Sequence, residues 1–178
     1  MVFMKLEFGG VSKHEQGFLC CDIRDVKHVT YVCNCWEIDE KVERESVEEI
    51  YSRHMFEHLT FAQGRATLKA WNKVLKRGGK IHMSMPDLRY HVNQYVRFVN
   101  NRGRGVESFE HAIKGFYGGQ REEWGDPPQT SFNNLWDVHK SGYDEVSLKE
   151  LLESFGYTRF KRLENKPWNL DVVCFKEL

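Results

Sequence analysis

With 178 residues, the chain is about one domain long and can bury roughly 70% of its unfolded surface without disulfides or a structural metal. Its 26 Lys and Arg balance 26 Asp and Glu, so there is no cationic surplus to release counterions from a polyanion, and nucleic acid is excluded as the expected partner. No stretch approaches the ~20 apolar residues of a membrane span, and no membrane association is expected.

The 12 Phe, 7 Tyr and 5 Trp imply a ring-filled core, an aromatic pocket, or both. Five cysteines (Cys20, Cys21, Cys33, Cys35 and Cys174) are an odd number, and the first ten residues do not read as a secretory signal. Reduced thiols and a cytoplasmic location follow as expectations. Adjacent Cys20 and Cys21 on a strand point to opposite faces, and Cys33-x-Cys35 supplies only half a zinc site, so no metal is expected.

In chain order, Met4–Phe8 alternates apolar residues and stops at Gly9-Gly10, as a strand running into a turn does. Phe18–Ile23 is a nearly continuous apolar run, and His28–Val32 is β-branched and aromatic; both read as strands, as does Val47–Tyr51. Thr60-x-x-Gln63 is a capping box that opens a helix, with Ala62, Ala66, Ala70, Trp71, Val74 and Leu75 along one face and Arg77-Gly78-Gly79 at its end. A strand Ile81–Met85 is cut off by Pro86. A helix from Asp87 to Phe98 follows, with Leu88, Val92, Tyr95 and Val99 at helical spacing. Residues 100–142 are rich in Gly, Asn and aromatics, with one short helix expected near Val106–Lys114. Ser147-x-x-Glu150 is a second capping box, ahead of the stripe Leu148, Leu151, Leu152 and Phe155. Two strands, Tyr157–Leu163 and Asp171–Lys176, close the chain.

Strand-to-helix alternation predicts an α/β, doubly wound domain with a mostly parallel sheet, and the terminal strand pair reads as an antiparallel hairpin. With no repeat or linker, residues 1–178 form one domain. Within it, 100–142 is an irregular aromatic segment suited to be a lid over a substrate. A glycine pair after the first strand lets a ligand approach backbone N–H groups, and Asp22, at the end of the second strand, can accept two hydrogen bonds from a ribose diol.

Four segments together carry a family resemblance: Leu6-Glu7-Phe8-Gly9-Gly10; Gly17 through Arg24 with its Asp22-Ile23; Val47 through Leu59 with its His54-x-x-Glu57-His58; and Trp71 through Ile81 with Val74-Leu75-Lys76-Arg77-Gly78-Gly79. In this order they resemble the class I S-adenosylmethionine-dependent methyltransferases, in particular the small type 11 group. His139-Lys140-Ser141-Gly142 adds to the likeness. The resemblance implies a Rossmann-like domain that moves the methyl of S-adenosylmethionine onto a small-molecule acceptor, with a sugar or surface-polysaccharide precursor as the family's frequent case. Carried over by position, Glu7, Phe8, Gly9 and Gly10 would hold the methionine part. Asp22 and Ile23 would hold ribose and adenine, Asn34 and Trp36 would lie near the adenine, and His54 would lie under the sulfonium. His54, His58 and His139 are the candidate bases.

The chain departs from the family at Val11, where glycine is preferred, and in its first two crossovers, Gly9–Phe18 and Arg24–Lys27, which are too short for full covering helices. A catalytically inactive methyltransferase-like interaction module is the alternative. His54-Met55-Phe56-Glu57-His58 also matches the H-x-x-E-H pattern of inverted zinc proteases, a remote second alternative. Phe18, Leu19, Cys20 and Cys21 leave no polar face on the second strand. The sheet face beside the short crossovers is therefore expected to be shielded by the loop Trp36–Ser46, by the segment Phe116–Trp136, or by a second copy in a homodimer.

Overall fold

A computed structural model of the chain describes residues 3–10, 15–102, 109–118 and 138–178. Among these residues seven strands form one sheet: β1 (Met4–Phe8), β2 (Leu19–Asp22), β3 (Val29–Val32), β4 (Val47–Arg53), β5 (Leu75–Pro86), β6 (Tyr157–Arg162) and β7 (Asn169–Lys176). Their order is β3-β2-β1-β4-β5-β7-β6. Strands β1 to β5 pair in parallel, and β7 runs antiparallel to both β5 and β6. The α/β class, the mostly parallel sheet and the antiparallel terminal pair are as the sequence predicts. Among the described residues four α-helices accompany the sheet: α1 (Phe61–Val74), α2 (Leu88–Asn100), α3 (Phe109–Tyr117) and α4 (Glu145–Ser154), with short 3-10 turns at Cys35–Glu40 and Phe56–His58.

The register explains which residues make the core. Leu6, Ile50, Ile81 and Cys174 lie side by side across β1, β4, β5 and β7, and all are buried. On the same face Trp71 and Leu68 of α1, Leu148 and Leu152 of α4, and Ile38 and Val42 join one continuous apolar cluster. The Tyr157 hydroxyl donates to the Leu68 carbonyl (2.9 Å), and the Asn72 amide donates to the Phe155 carbonyl (2.9 Å), which ties α1 to the hairpin and to α4.

The opposite face is polar. Lys5, Glu49 and Lys80 form one row across it, with Glu49 paired to both lysines. Glu7, Tyr51 and His82 form the next row, where Tyr51 stacks on His82 (ring centroids 4.5 Å) and Phe18 meets Tyr51 edge-on. The premise of two apolar faces, on which self-association rested, therefore fails for β1, β4 and β5. Cys20 is buried on that face between Glu7 of β1 and Val29 of β3. The loop beginning at Trp36 packs on the apolar face instead, through Ile38 and Val42. Of the segment Phe116–Trp136, all beyond Gly118 lies outside the described residues, as does Val11.

Local differences from the sequence reading have identifiable causes. Helix α1 ends at Val74 rather than at the glycine pair. Leu75 is extended (ψ 134°), buried, and paired with Val47 in β5, so Arg77-Gly78-Gly79 lies in a bulge of that strand, between the Leu75–Val47 and Lys80–Glu49 pairs, with Gly78 at φ +68°. Ala62 and Ala66 are exposed. The large side chains of Leu68, Trp71 and Val74 set the buried face instead, and Gly64 lets it approach Phe56 and Tyr143. The cap of α4 is Asp144, with Ser147 as the reciprocal member (Ser147 N to Asp144 Oδ1, 2.9 Å; Asp144 N to Ser147 Oγ, 3.0 Å). In α2 the buried residues are His91 and Gln94, whereas Val92, Tyr95 and Val99 are exposed. The helix meets α3 through His91, whose ring fills the space over Gly115, and through Tyr95 and Phe98, which pack on Phe109.

Candidate active site

Reversal of strand order between β1 and β4 opens a crevice at the carboxyl ends of these strands, the usual ligand position of an open α/β sheet. A cleft of about 660 Å³ lies there. Phe8 and Gly9 form its floor, at the end of β1. Gly9 has φ +83°, and a Cβ there would run into the Arg53 carbonyl oxygen, so only glycine fits this turn.

One end of the cleft is lined by Asp22, Ile23, Arg24, Cys33, Asn34, Cys35 and Trp36. Asp22 stands at the end of β2 with both carboxylate oxygens engaged: Arg24 donates from Nε to Oδ1 (2.8 Å) and from Nη2 to Oδ2 (3.0 Å), and the Arg24 backbone N–H adds a third bond to Oδ1 (2.9 Å). The Arg24 side chain, 40% exposed, therefore stands between this carboxylate and any ligand in the cleft. Asn34 Nδ2 donates to Glu37 Oε2 (3.0 Å), which fixes the entry to the 3-10 turn carrying Trp36. Burial pushes the Cys20 thiol up to about 11 and the Cys35 thiol up to about 12, and it also raises Cys21 and Cys33. At neutral pH all four are protonated, and Cys21, Cys33 and Cys35 line the cleft as apolar groups rather than thiolate ligands.

The other end is lined by His54, Met55, His58, Leu59, Gln63 and Lys140. His54 follows β4 directly and holds a left-handed backbone (φ 45°). Its Nδ1 meets Glu57 Oε1 at 3.2 Å. The hydrogen bond to Glu57 raises the His54 imidazole above its ordinary value, against the opposing effect of burial. Glu57 is 2% exposed. Burial pushes its carboxyl up, but the His54 hydrogen bond and the charges of His58 and His54 bring it out below the ordinary value. His58 donates from Nδ1 to the Val138 carbonyl (3.1 Å), and His139 from Nδ1 to the Gly115 carbonyl (3.2 Å) at the end of α3. The two rings meet edge-on at 5.1 Å. Backbone N–H groups of Lys140 and Ser141 donate to the Glu57 carbonyl (2.8 and 3.1 Å), docking this strip of chain on the Phe56–His58 turn.

Of the residues singled out in the sequence, Phe8, Gly9, Asp22, Ile23, Asn34, Trp36, His54 and His58 line the cleft. Glu7 is placed otherwise. It lies fully buried on the polar face, accepting from Arg53 Nη2 (2.6 Å) and from the Glu15 backbone (2.8 Å). Gly10 packs against that carboxylate, outside the cleft wall. His139 stands behind His58. The H-x-x-E-H run does not form the helix a zinc protease needs: a three-residue 3-10 turn follows the strained His54, so His54 and His58 do not stack as i, i+4 neighbours. Sequence reasoning assigned no role to Arg24 or Lys140, and gave Glu57 one only as the general base of the H-x-x-E-H alternative. An arginine two residues after a strand-end acid, and an acid flanked by histidines, were the available signals for Arg24 and Glu57.

No protein-family description matches the sequence, and no curated protein matches it. Solved structures do match in shape. An S-adenosylmethionine-dependent methyltransferase from Archaeoglobus fulgidus superposes with a TM-score of 0.60 at 12% identity, covering 98% of this chain and 86% of that one. One from Thermotoga maritima gives 0.62 at 10% identity, covering 99% and 84%. One from Methanosarcina mazei gives 0.59 at 15% identity, covering 98% and 92%. The chain has the fold of the class I S-adenosylmethionine-dependent methyltransferases.

Proposed function

We propose that the protein is an S-adenosylmethionine-dependent methyltransferase acting on a small-molecule acceptor, with a sugar or surface-polysaccharide precursor as the class the sequence resemblance suggests. The observation that carries this reading is the cleft at the β1–β4 reversal, with a glycine-only turn at one wall, a strand-end carboxylate at one end and a carboxylate-held imidazole at the other. The residues present suit the cofactor. The left-handed turn at Gly9 brings the backbone to the methionine portion, Asp22 offers two acceptors to the ribose, and Ile23, Cys33, Cys35 and Trp36 make an apolar slot of adenine character. When bound, S-adenosylmethionine supplies a methyl group activated on a sulfonium.

The chain's own part is alignment and proton transfer. Glu57 accepts from His54 Nδ1–H and so fixes the tautomer in which Nε2 carries the lone pair, the arrangement of a general base. His54 Nε2 then takes the proton of the acceptor hydroxyl. Gln63 and Lys140, on the same wall, supply donors to orient acceptor oxygens. Among the described residues no helix is long and apolar enough to cross a membrane.

Isothermal titration with S-adenosylhomocysteine tests the reading, with one site per chain expected. The absence of both a heat signal and a thermal shift at millimolar ligand would refute it and leave the inactive interaction module.

A further inference from the structure

Glu57 has one oxygen on His54, but its second, Oε2, is buried and meets no hydrogen-bond donor among the described residues. A carboxylate oxygen sealed from water needs a cation or a donor. One ligand atom each from Glu57, His58 and His139 lie within 4.8 Å of one another.

We propose that Glu57, His58 and His139 bind a divalent transition-metal ion of the zinc class at the acceptor end of the cleft, with its open coordination positions directed to an acceptor oxygen. Two imidazoles and one carboxylate are a three-ligand set that leaves room for water or substrate, and imidazole nitrogen selects zinc-like ions over magnesium or calcium. Each ligand is already held as metal ligands are. The His58 ring is oriented by the Nδ1–H that it gives to the Val138 carbonyl, and the His139 ring by the Nδ1–H that it gives to the Gly115 carbonyl. The Glu57 carboxylate is oriented by the bond of its other oxygen to His54. An ion at about 2.0–2.1 Å from each ligand draws the three atoms together by roughly 1 Å, within the reach of side-chain rotation. His58 and Lys140 place this corner on the cleft wall, so an acceptor hydroxyl or carboxylate oxygen can displace water from the ion. The site is distinct from the H-x-x-E-H pairing, because His54 is not a ligand in it and Glu57 is.

The metal site itself stands on these groups alone; its role toward the acceptor rests on the methyltransferase reading. The test uses the full chain without cofactor. Protein stripped by chelator is equilibrated with Zn²⁺ at neutral pH, desalted, and its metal content measured; Co²⁺ is then substituted as a visible probe. One equivalent is expected, with a Co²⁺ spectrum free of the near-ultraviolet band that thiolate ligands give. Glu57→Gln and His139→Ala should each weaken binding at least tenfold, and since Glu57 is buried, His139→Ala carries the result if Glu57→Gln fails to fold by circular dichroism. Failure to retain zinc overturns the proposal, as does zinc retained undiminished in His139→Ala, or a sulfur charge-transfer band. Zinc binding without any heat on S-adenosylhomocysteine would keep this site and remove the methyltransferase reading; the reverse result would do the opposite.

Discussion

Arg24 closes the carboxylate that the ribose of the proposed cofactor would use, and its removal has a calculable effect. The Arg24 side chain is 40% exposed and that of Asp22 is 9% exposed, so the pair is screened by solvent despite its two good hydrogen bonds. Exposed pairs of this kind contribute about 0.2–1 kcal/mol. Arg24→Ala lifts that competition and should tighten S-adenosylhomocysteine binding by about 1.4- to 5-fold. Asp22→Asn replaces a charged acceptor with a neutral one. The difference between the two kinds of hydrogen bond, about 1–1.5 kcal/mol, weakens binding by about 5- to 13-fold. Titration calorimetry at 25 °C on the parent and both variants reads the two numbers directly. Binding that weakens tenfold or more in Arg24→Ala would refute the reasoning, since it would make the arginine a ligand contact rather than a competitor.

Gly9→Ala and Gly17→Ala both place a side chain at φ above +80°, costing about 1–2 kcal/mol, but only Gly9 has a neighbour in the way. Urea unfolding should therefore show the larger loss at Gly9, and equal losses would count against the close approach to Arg53. Asp144→Ala should lower stability by about 1 kcal/mol, whereas Asp144→Asn should keep most of the cap. The Ser147 hydrogen bonds hold the Asp144 carboxyl below its ordinary value. Its contribution is thus full above the ordinary aspartate range and fades as pH falls through the lowered value; thermal melts of parent and alanine variant should converge in acid. Tyr157→Phe deletes the bond to the Leu68 carbonyl and should cost about 1 kcal/mol by denaturant midpoint.

Much of the fold was legible because local signals and burial agreed. Met4–Phe8 is a strand with the bounds its alternation gives, and Thr60-x-x-Gln63 caps α1 as its spacing indicates. Where the reading slipped, tertiary demand overrode a local signal. Gly78-Gly79 looked like a helix stop, but Leu75 had already left the helix to pair with Val47. The apolar spacing of α2 suggested a buried stripe, while the helix turns His91 toward α3. Within the site, residues adjacent in sequence diverge in space. Phe8 faces the cleft and Glu7 the polar side, because successive strand residues point opposite ways. Pairings across long separations, such as His58 with Val138 or Arg53 with Glu7, leave no trace in a single sequence.

The polar row Lys5, Glu49 and Lys80 also bears on how accurately the sheet assembles. Buried parallel strands are usually apolar on both sides, so a slip of one residue exchanges one apolar side chain for another and meets little resistance. Here the same slip in β1, β4 or β5 would carry a lysine or glutamate into the cluster of Leu6, Ile50 and Ile81 and turn those side chains to water. Each misaligned pairing is therefore penalised by an unpaired buried charge. The solvated face thus acts as an alignment rule for the central strands: by excluding shifted pairings, it keeps the ends of β1 and β4 level, so that Gly9 and His54 arrive at the same cleft.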